Sequence, residues 1–142
     1  MKNIEKCTLL FTIGGVSYAA IEILWRGKTH FSMVIAGGLC FVIFEIIARR
    51  LKRRGLILKA SVAALSVTLV ELIFGIVFNL ILDMRVWDYS REPFNFLGQI
   101  CPLYSFLWFL LALVALPLAS HLSGRLFGFD EKCKQKKRHK TA

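Results

Sequence analysis

Ala60-Ser-Val-Ala-Ala-Leu-Ser-Val-Thr-Leu-Val-Glu71-Leu-Ile-Phe-Gly-Ile-Val-Phe-Asn79-Leu-Ile-Leu82 is a run of 23 residues that is apolar or small apart from Glu71 and Asn79. As a helix it is long enough to cross the roughly 30 Å hydrocarbon core of a bilayer. Glu71 lies at its midpoint. A carboxylate at the centre of a membrane costs about 2.5–3.5 kcal/mol even on a lenient insertion scale, so such a residue faces a bundle, a cavity or a partner. The stretch reads as a transmembrane helix with an inward polar feature.

Three more runs have the same character, at about 7–24, 31–48 and 100–120. The two shortest reach about 27 Å at 1.5 Å per residue, enough for a thin crossing. Of the 142 residues, 56% are hydrophobic, above the roughly 45–50% of a soluble domain. Backbone groups in lipid must be satisfied within their own segment, so the runs are expected to be helices. No stretch alternates every second residue for long, as barrel strands would. The expected fold is all-α: a four-helix membrane bundle over residues 1–123, followed by a basic tail, 124–142, disordered beyond Phe129. The apolar stretch after Lys2 and Lys6 is too long for a signal peptide and lacks an Ala-x-Ala site, so an uncleaved first span is expected.

The net charge of +10 could suggest a nucleic-acid partner, but its distribution does not. With four spans, 15 of the 19 Lys and Arg fall on the side of the termini and the 49–59 loop. Arg26, Lys28, Arg85 and Arg91 fall on the other. Cytoplasmic enrichment of Lys and Arg orients membrane proteins, which predicts both termini inside a bacterial cytoplasmic membrane. Arg49, Arg50, Lys52, Arg53 and Arg54 then carry the orientation signal and suit anionic lipid headgroups. The four cysteines form no zinc spacing and no exposed outer pair. No metal or other cofactor is expected.

Thr68, Glu71, Gly75 and Asn79 fall at helical spacing and make one polar, small-residue stripe toward the outer side. In the first span Gly14, Gly15, Tyr18 and Glu22 share a face, and Gly37 and Gly38 in the second suit a close crossing. Glu22 precedes Arg26 by four residues, and Glu45 precedes Arg49 likewise, the favourable order for a local ion pair. Glu71 has no cation at helical spacing. Its stripe, with Glu22 and Tyr18, is a candidate polar path, or else a helix contact with a neutral Glu71.

The outer loop, residues 83–99, is too structured in composition for a plain connection. Trp87, Tyr89, Phe94 and Phe96 suit a membrane interface, and Pro93 and Gly98 punctuate the turns. A folded outer cap of residues 87–99 is expected. His30, Asp83, Asp88 and Ser90 lie on the same side, yet their spacing specifies neither a triad nor a metal site, and no catalysis is expected. Gly27-Lys28-Thr29 lacks the earlier glycine and the strand of a phosphate loop, so no nucleotide site is expected either.

Several residues together carry a resemblance. In the first half they are Tyr18, Glu22, Arg26, Gly27, Thr29, His30, Ser32, Met33, Gly37 and Gly38. In the second half they are Glu71, Gly75, Asn79, then Trp87-Asp88-Tyr89-Ser90, Pro93, Asn95, Gly98-Gln99-Ile100-Cys101 and Trp108. The pattern resembles the "putative ABC-transporter type IV" family, the CmpB-like small bacterial membrane proteins, across nearly the whole chain. The resemblance implies the permease component of an ATP-driven transporter. Four short helices enclose little volume alone, so a homo-oligomer, or a partner membrane or ATPase subunit, is expected. The one inner loop, of 11 residues, is short for gripping an ATPase. The alternative is a non-transport scaffold, or a lipid- or envelope-interacting protein, that docks through Trp87, Asp88, Tyr89, Ser90, Pro93, Asn95, Gly98 and Gln99.

Overall fold

The computed structural model describes the backbone of residues 2–138 and the side chains of residues 4–125. Four helices follow one another: α1 (Lys2–Arg26), α2 (Phe31–Arg50), α3 (Leu56–Phe74) and α4 (Pro102–Arg138). A π-helical segment, Gly75–Ile81, continues α3 without a break. All four helices are long and apolar enough to cross a membrane, the third crossing running Leu56–Ile81. Among the described residues there is no strand, only an isolated bridge between Phe96 and Ile100.

The helix ends follow local chemistry. Gly27 closes α1 with φ +71°, its N–H donating to the Ile23 carbonyl at 2.8 Å; a left-handed closing residue favours glycine. His30 caps α2, its Nδ1 accepting from the Ser32 N–H at 3.3 Å. Pro102 opens α4, where its missing N–H costs nothing. Pro117 lies inside α4 without ending it. The sequence predicts a basic tail from 124 that is disordered beyond Phe129; the described backbone is helical to Arg138. The Lys, Glu, Gln and Arg of that stretch are good helix formers, and no proline interrupts it. The last four positions, 139–142, lie outside the described residues.

Small residues decide the packing. A methyl group on Gly14 would stand 2.3 Å from the Phe41 Cβ, and one on Gly37 would stand 2.4 Å from the Tyr18 Cβ. The glycines therefore let α1 and α2 touch backbone to side chain, the close crossing that Gly37 and Gly38 predict. Ala60, Ala63 and Val67 of α3 meet Phe41, Phe44 and Ile47 of α2 and Ala112, Leu116 and Ala119 of α4 in one core. A second, smaller core gathers Met33, Val86 and Trp87 at the other end. Leu65, Leu69 and Ile73 repeat every four residues on the outer face of α3 and are exposed, as a lipid-facing stripe requires.

α2 packs against α1, α3 and α4, whereas α1 and α4 barely touch. The start of α1 and the late part of α4 meet at the end of α2. There Lys6 donates to Glu45 at 2.5 Å, and Ser123 donates to the same carboxylate oxygen at 2.7 Å. At the opposite end Arg26 donates to the Val86 carbonyl at 2.7 Å, tying the α1–α2 turn to the loop before α4.

Candidate functional site

The loop between the third crossing and α4 folds into the bundle as a cap, and Asn79 is its anchor. The Asn79 side-chain amide donates to the Trp87 carbonyl at 2.9 Å and to Gln99 Oε1 at 2.8 Å, and its oxygen accepts from the Val86 N–H at 2.7 Å. Trp87 Nε1 donates to the Gln99 carbonyl at 3.0 Å. Gly75 leaves the space that Gln99 fills, since an added Cβ would lie 2.5 Å from Gln99 Oε1. Gly75 is six positions before Ile81, so the cap reaches more than a full helical turn into the crossing. The turn widens to a π-helix over this stretch, a form common at functional sites.

The polar residues of the cap stitch the loop to itself. Asp88 accepts from the Ser90 hydroxyl and from the Ser90 N–H. These bonds hold the Asp88 carboxyl below the usual aspartate range, the hydroxyl contributing most. Asn95 donates to the Glu92 carbonyl at 2.8 Å and accepts from the Gly98 N–H at 3.0 Å. Gly98 adopts φ +67°, and a side chain there would crowd Asp88 and Ser90. Pro93 lies exposed in the turn. The sequence predicts an interfacial role for four aromatic residues, and they divide. Trp87 is buried because its N–H finds the Gln99 carbonyl. Tyr89 stacks on Tyr104 at 4.3 Å between centroids and turns inward. Phe94 and Phe96 stay exposed, Phe94 at 90%.

Tyr89 leads to the centre of the site. Its hydroxyl donates to Glu71 Oε1 at 2.8 Å, and Trp108 Nε1 of α4 donates to Glu71 Oε2 at 3.0 Å. No cation is paired with Glu71 among the described residues; the ion pairs fall at Glu45, Glu22 and Asp83. The carboxylate borders a cleft of about 290 Å³ between the two cores. The walls are apolar side chains of all four helices with the rings of Tyr18, Phe74, Trp87 and Trp108. The Tyr18 and Trp108 centroids are 5.9 Å apart.

The predicted stripe faces inward along its whole length, and protein groups meet each member. Thr68 bonds Ser105 of α4 at 3.0 Å, Glu71 takes Tyr89 and Trp108, Gly75 takes Gln99, and Asn79 takes the cap. Tyr18 joins Glu71 at the cleft. Glu22 does not; it pairs with Arg26 at 3.3 Å and accepts from Thr29 at 2.5 Å, nearer the cap end. The α1–α2 turn thus uses Arg26, Gly27, Thr29 and His30 for closure and capping. Arg49 and Arg50 in the last turn of α2 and Lys52, Arg53 and Arg54 in the α2–α3 turn are exposed. His30, Asp83 and Asp88 make separate contacts, to Ser32, Arg85 and Ser90 respectively.

Sequence reasoning missed Lys6 as the partner of Glu45, because it looked only four residues along the same helix. The predicted pair with Arg49 is present but longer, at 3.7 Å, and Arg49 is largely exposed. Trp108 carried a resemblance but no role. Its signal was its depth: six positions after Pro102, it lies away from the interface where tryptophan usually collects.

Fold and site define a small polytopic membrane protein with a buried carboxylate in a cleft and a cap wedged into one end. The chain belongs to the family described as "Putative ABC-transporter type IV", whose family model matches residues 9–134. Neither the curated proteins nor the solved structures contain a match to the chain.

Proposed function

We propose that the chain is the permease-type membrane subunit of a transporter, working with copies of itself or with an ATPase subunit, and that its cargo meets the protein at Glu71. One observation carries this reading: within the crossings, a carboxylate held by two neutral donors borders a cleft that lies open between α1 and α4. A carboxylate kept at membrane depth is costly and marks ion or substrate sites. Family membership supports the transporter role. The split of 15 cations to 4 supports a bacterial cytoplasmic membrane with both termini inside. The role is binding and passage, not catalysis.

The test is native mass spectrometry of the protein gently extracted from its own membrane, with each co-purifying chain identified. A stoichiometric ATPase subunit, followed by ATP-dependent uptake that Glu71→Gln abolishes, is the expected result. A lone homo-oligomer would remove the ATP-driven form of the proposal. Full uptake by the variant would remove Glu71 from it.

A docking role for the cap is favoured by a different observation. Phe94 and Leu97 hold left-handed backbone angles, φ 56° and 55°, while their side chains stay exposed. Backbone strain of this kind persists where a function needs the display. Loss of lipid or partner binding in Phe94→Ser, at unchanged helix content, is the expected result, and unchanged binding would remove the docking role.

A further inference from the structure

We propose that the cleft is a binding site for a small lipophilic organic cation admitted sideways from the bilayer, with Glu71 taking its charge and the rings of Tyr18, Trp87 and Trp108 enclosing its body. The inference deepens the proposed function by naming the cargo class, and rests on that reading for its transport sense only.

Three observations converge on it. The first is charge. Glu71 is the one acidic group lining the cleft, and no Lys or Arg lines it. Trp108 and Tyr89 fix both carboxylate oxygens without neutralising them. An anionic ligand would meet repulsion there, and a plain hydrocarbon would leave the carboxylate uncompensated at membrane depth. A cation, in place of a proton, supplies the missing charge. The second is the wall. Electron-rich ring faces attract a cation, tryptophan most strongly, and desolvation strengthens the attraction. The apolar remainder of the wall, Met33, Val67 and Phe74 among it, selects against a strongly hydrated ion such as Na⁺ and for an organic one. The third is access. Ser17 and Ile21 of α1 and Val114 and Leu118 of α4 line the cleft and are also exposed on the bundle surface, where the two helices barely touch. A ligand dissolved in the bilayer reaches Glu71 between them. Above Glu71 the route is filled, since Gln99 occupies the space beside Gly75. A volume of about 290 Å³ lies at the low end for small-molecule pockets, roughly 300–1,000 Å³, and suits a compact cation.

The experiment uses the full chain in nanodiscs of zwitterionic lipid. The probes are benzyltrimethylammonium, its neutral carbon isostere neopentylbenzene, and benzenesulfonate, each corrected for partition into empty nanodiscs. Tryptophan fluorescence and calorimetry report binding. The cation is expected to bind at least about tenfold tighter than the isostere, and the sulfonate not at all. Glu71→Gln is expected to remove the preference for charge by weakening the cation, while the isostere binds at least as tightly as to the unaltered protein. Equal binding of cation and isostere to the unaltered protein, a preference that survives Glu71→Gln, or no saturable binding would each overturn the proposal. Val114→Trp, a change at the lipid-facing mouth, keeps the test open if Glu71→Gln does not fold. Loss of cation binding supports the lateral site, and unchanged binding overturns it. The assay needs no partner chain. Absent binding alongside a co-purifying ATPase would therefore sink the cargo class and leave the permease reading standing.

Discussion

Replacing Asn79 with Leu should release the cap while leaving the helices in place. Leu has nearly the same volume and suits a membrane helix, so the change removes polar contacts more than packing. Asn79 makes three hydrogen bonds to the cap, two of them to the backbone of Val86 and Trp87. Val86 and Trp87 are both buried. A buried backbone group left without a partner costs about 1–3 kcal/mol, whereas a made bond contributes about 0.5–1.5 kcal/mol net. The Trp87 N–H bond to the Gln99 carbonyl and the Arg26 bond to the Val86 carbonyl survive. Two orphaned backbone groups then set the loss at about 3 kcal/mol, or roughly a hundredfold in the open population at 1.4 kcal/mol per tenfold. Limited trypsin cleavage in nanodiscs reads that population, because cutting inside a folded loop requires local opening. Arg85 and Arg91 are exposed cap sites, and Arg53 and Arg54 on the α2–α3 turn are an internal control. The cap sites should be cut roughly a hundredfold faster in Asn79→Leu, with the control unchanged. An increase of less than about threefold, at unchanged helix content, would refute Asn79 as the anchor.

Gly37→Ala should separate α1 from α2, because the new methyl would lie 2.4 Å from the Tyr18 Cβ; overpacking of this kind costs about 1–3 kcal/mol, read as a lower melting temperature in micelles. Lys6→Met should destabilise by about 3 kcal/mol, near the low end for breaking a buried pair, since Lys6 donates to buried Glu45. Adding Glu45→Gln should restore most of that loss, and no restoration would show that Lys6 acts in some other way. The Asp88 carboxyl titrates below its ordinary value because it accepts from the Ser90 hydroxyl and N–H. A depressed folded value stabilises above the unfolded value, near 3.9 for aspartate, and is lost as pH falls through the folded value. The Ser90 amide resonance should therefore hold its position down through the ordinary aspartate range and move only below it. A midpoint at or above that range would contradict the geometry, and Asp88→Asn should abolish the transition.

The crossings were legible because lipid imposes one rule on backbone and side chain alike. Each crossing had to be a helix, and each needed close to twenty apolar residues. The sequence shows such runs at 7–24, 31–48, 60–82 and 100–120, and the structure has helices long and apolar enough to cross a membrane at Ile4–Arg26, Phe31–Arg50, Leu56–Ile81 and Pro102–Arg125. The glycine pair at 37 and 38 was readable for the same reason, since small residues are what membrane helices use to approach. The π-helical segment was not readable. It arises where Gly75 and Asn79 accommodate Gln99, a residue distant in sequence, and nothing in 75–81 itself departs from an ordinary apolar helix.

The site was legible as a face but not as a set of partners. Helical spacing puts Thr68, Glu71, Gly75 and Asn79 on one side, and the structure keeps them there. What meets that side depends on how α4 crosses and how deep the cap goes, and neither is a local property. Tyr89 shows the difference. As one of several aromatic residues in a loop between two crossings, it suits the headgroup region. Yet Asn79 draws the flanking backbone down by binding Val86 and Trp87, and Tyr89 then reaches Glu71 at membrane depth. The same anchor explains why Trp87 is buried and Phe94 exposed, although both are large aromatic residues in one short loop. Trp87 is next to the residues that Asn79 grips, and Phe94 lies beyond the Asp88–Ser90 turn, on the far side of the fold-back that Asn95 closes. One asparagine thereby decides which residues of the loop belong to the cleft and which belong to the surface. That decision is made by hydrogen bonds between segments, which sequence spacing does not encode.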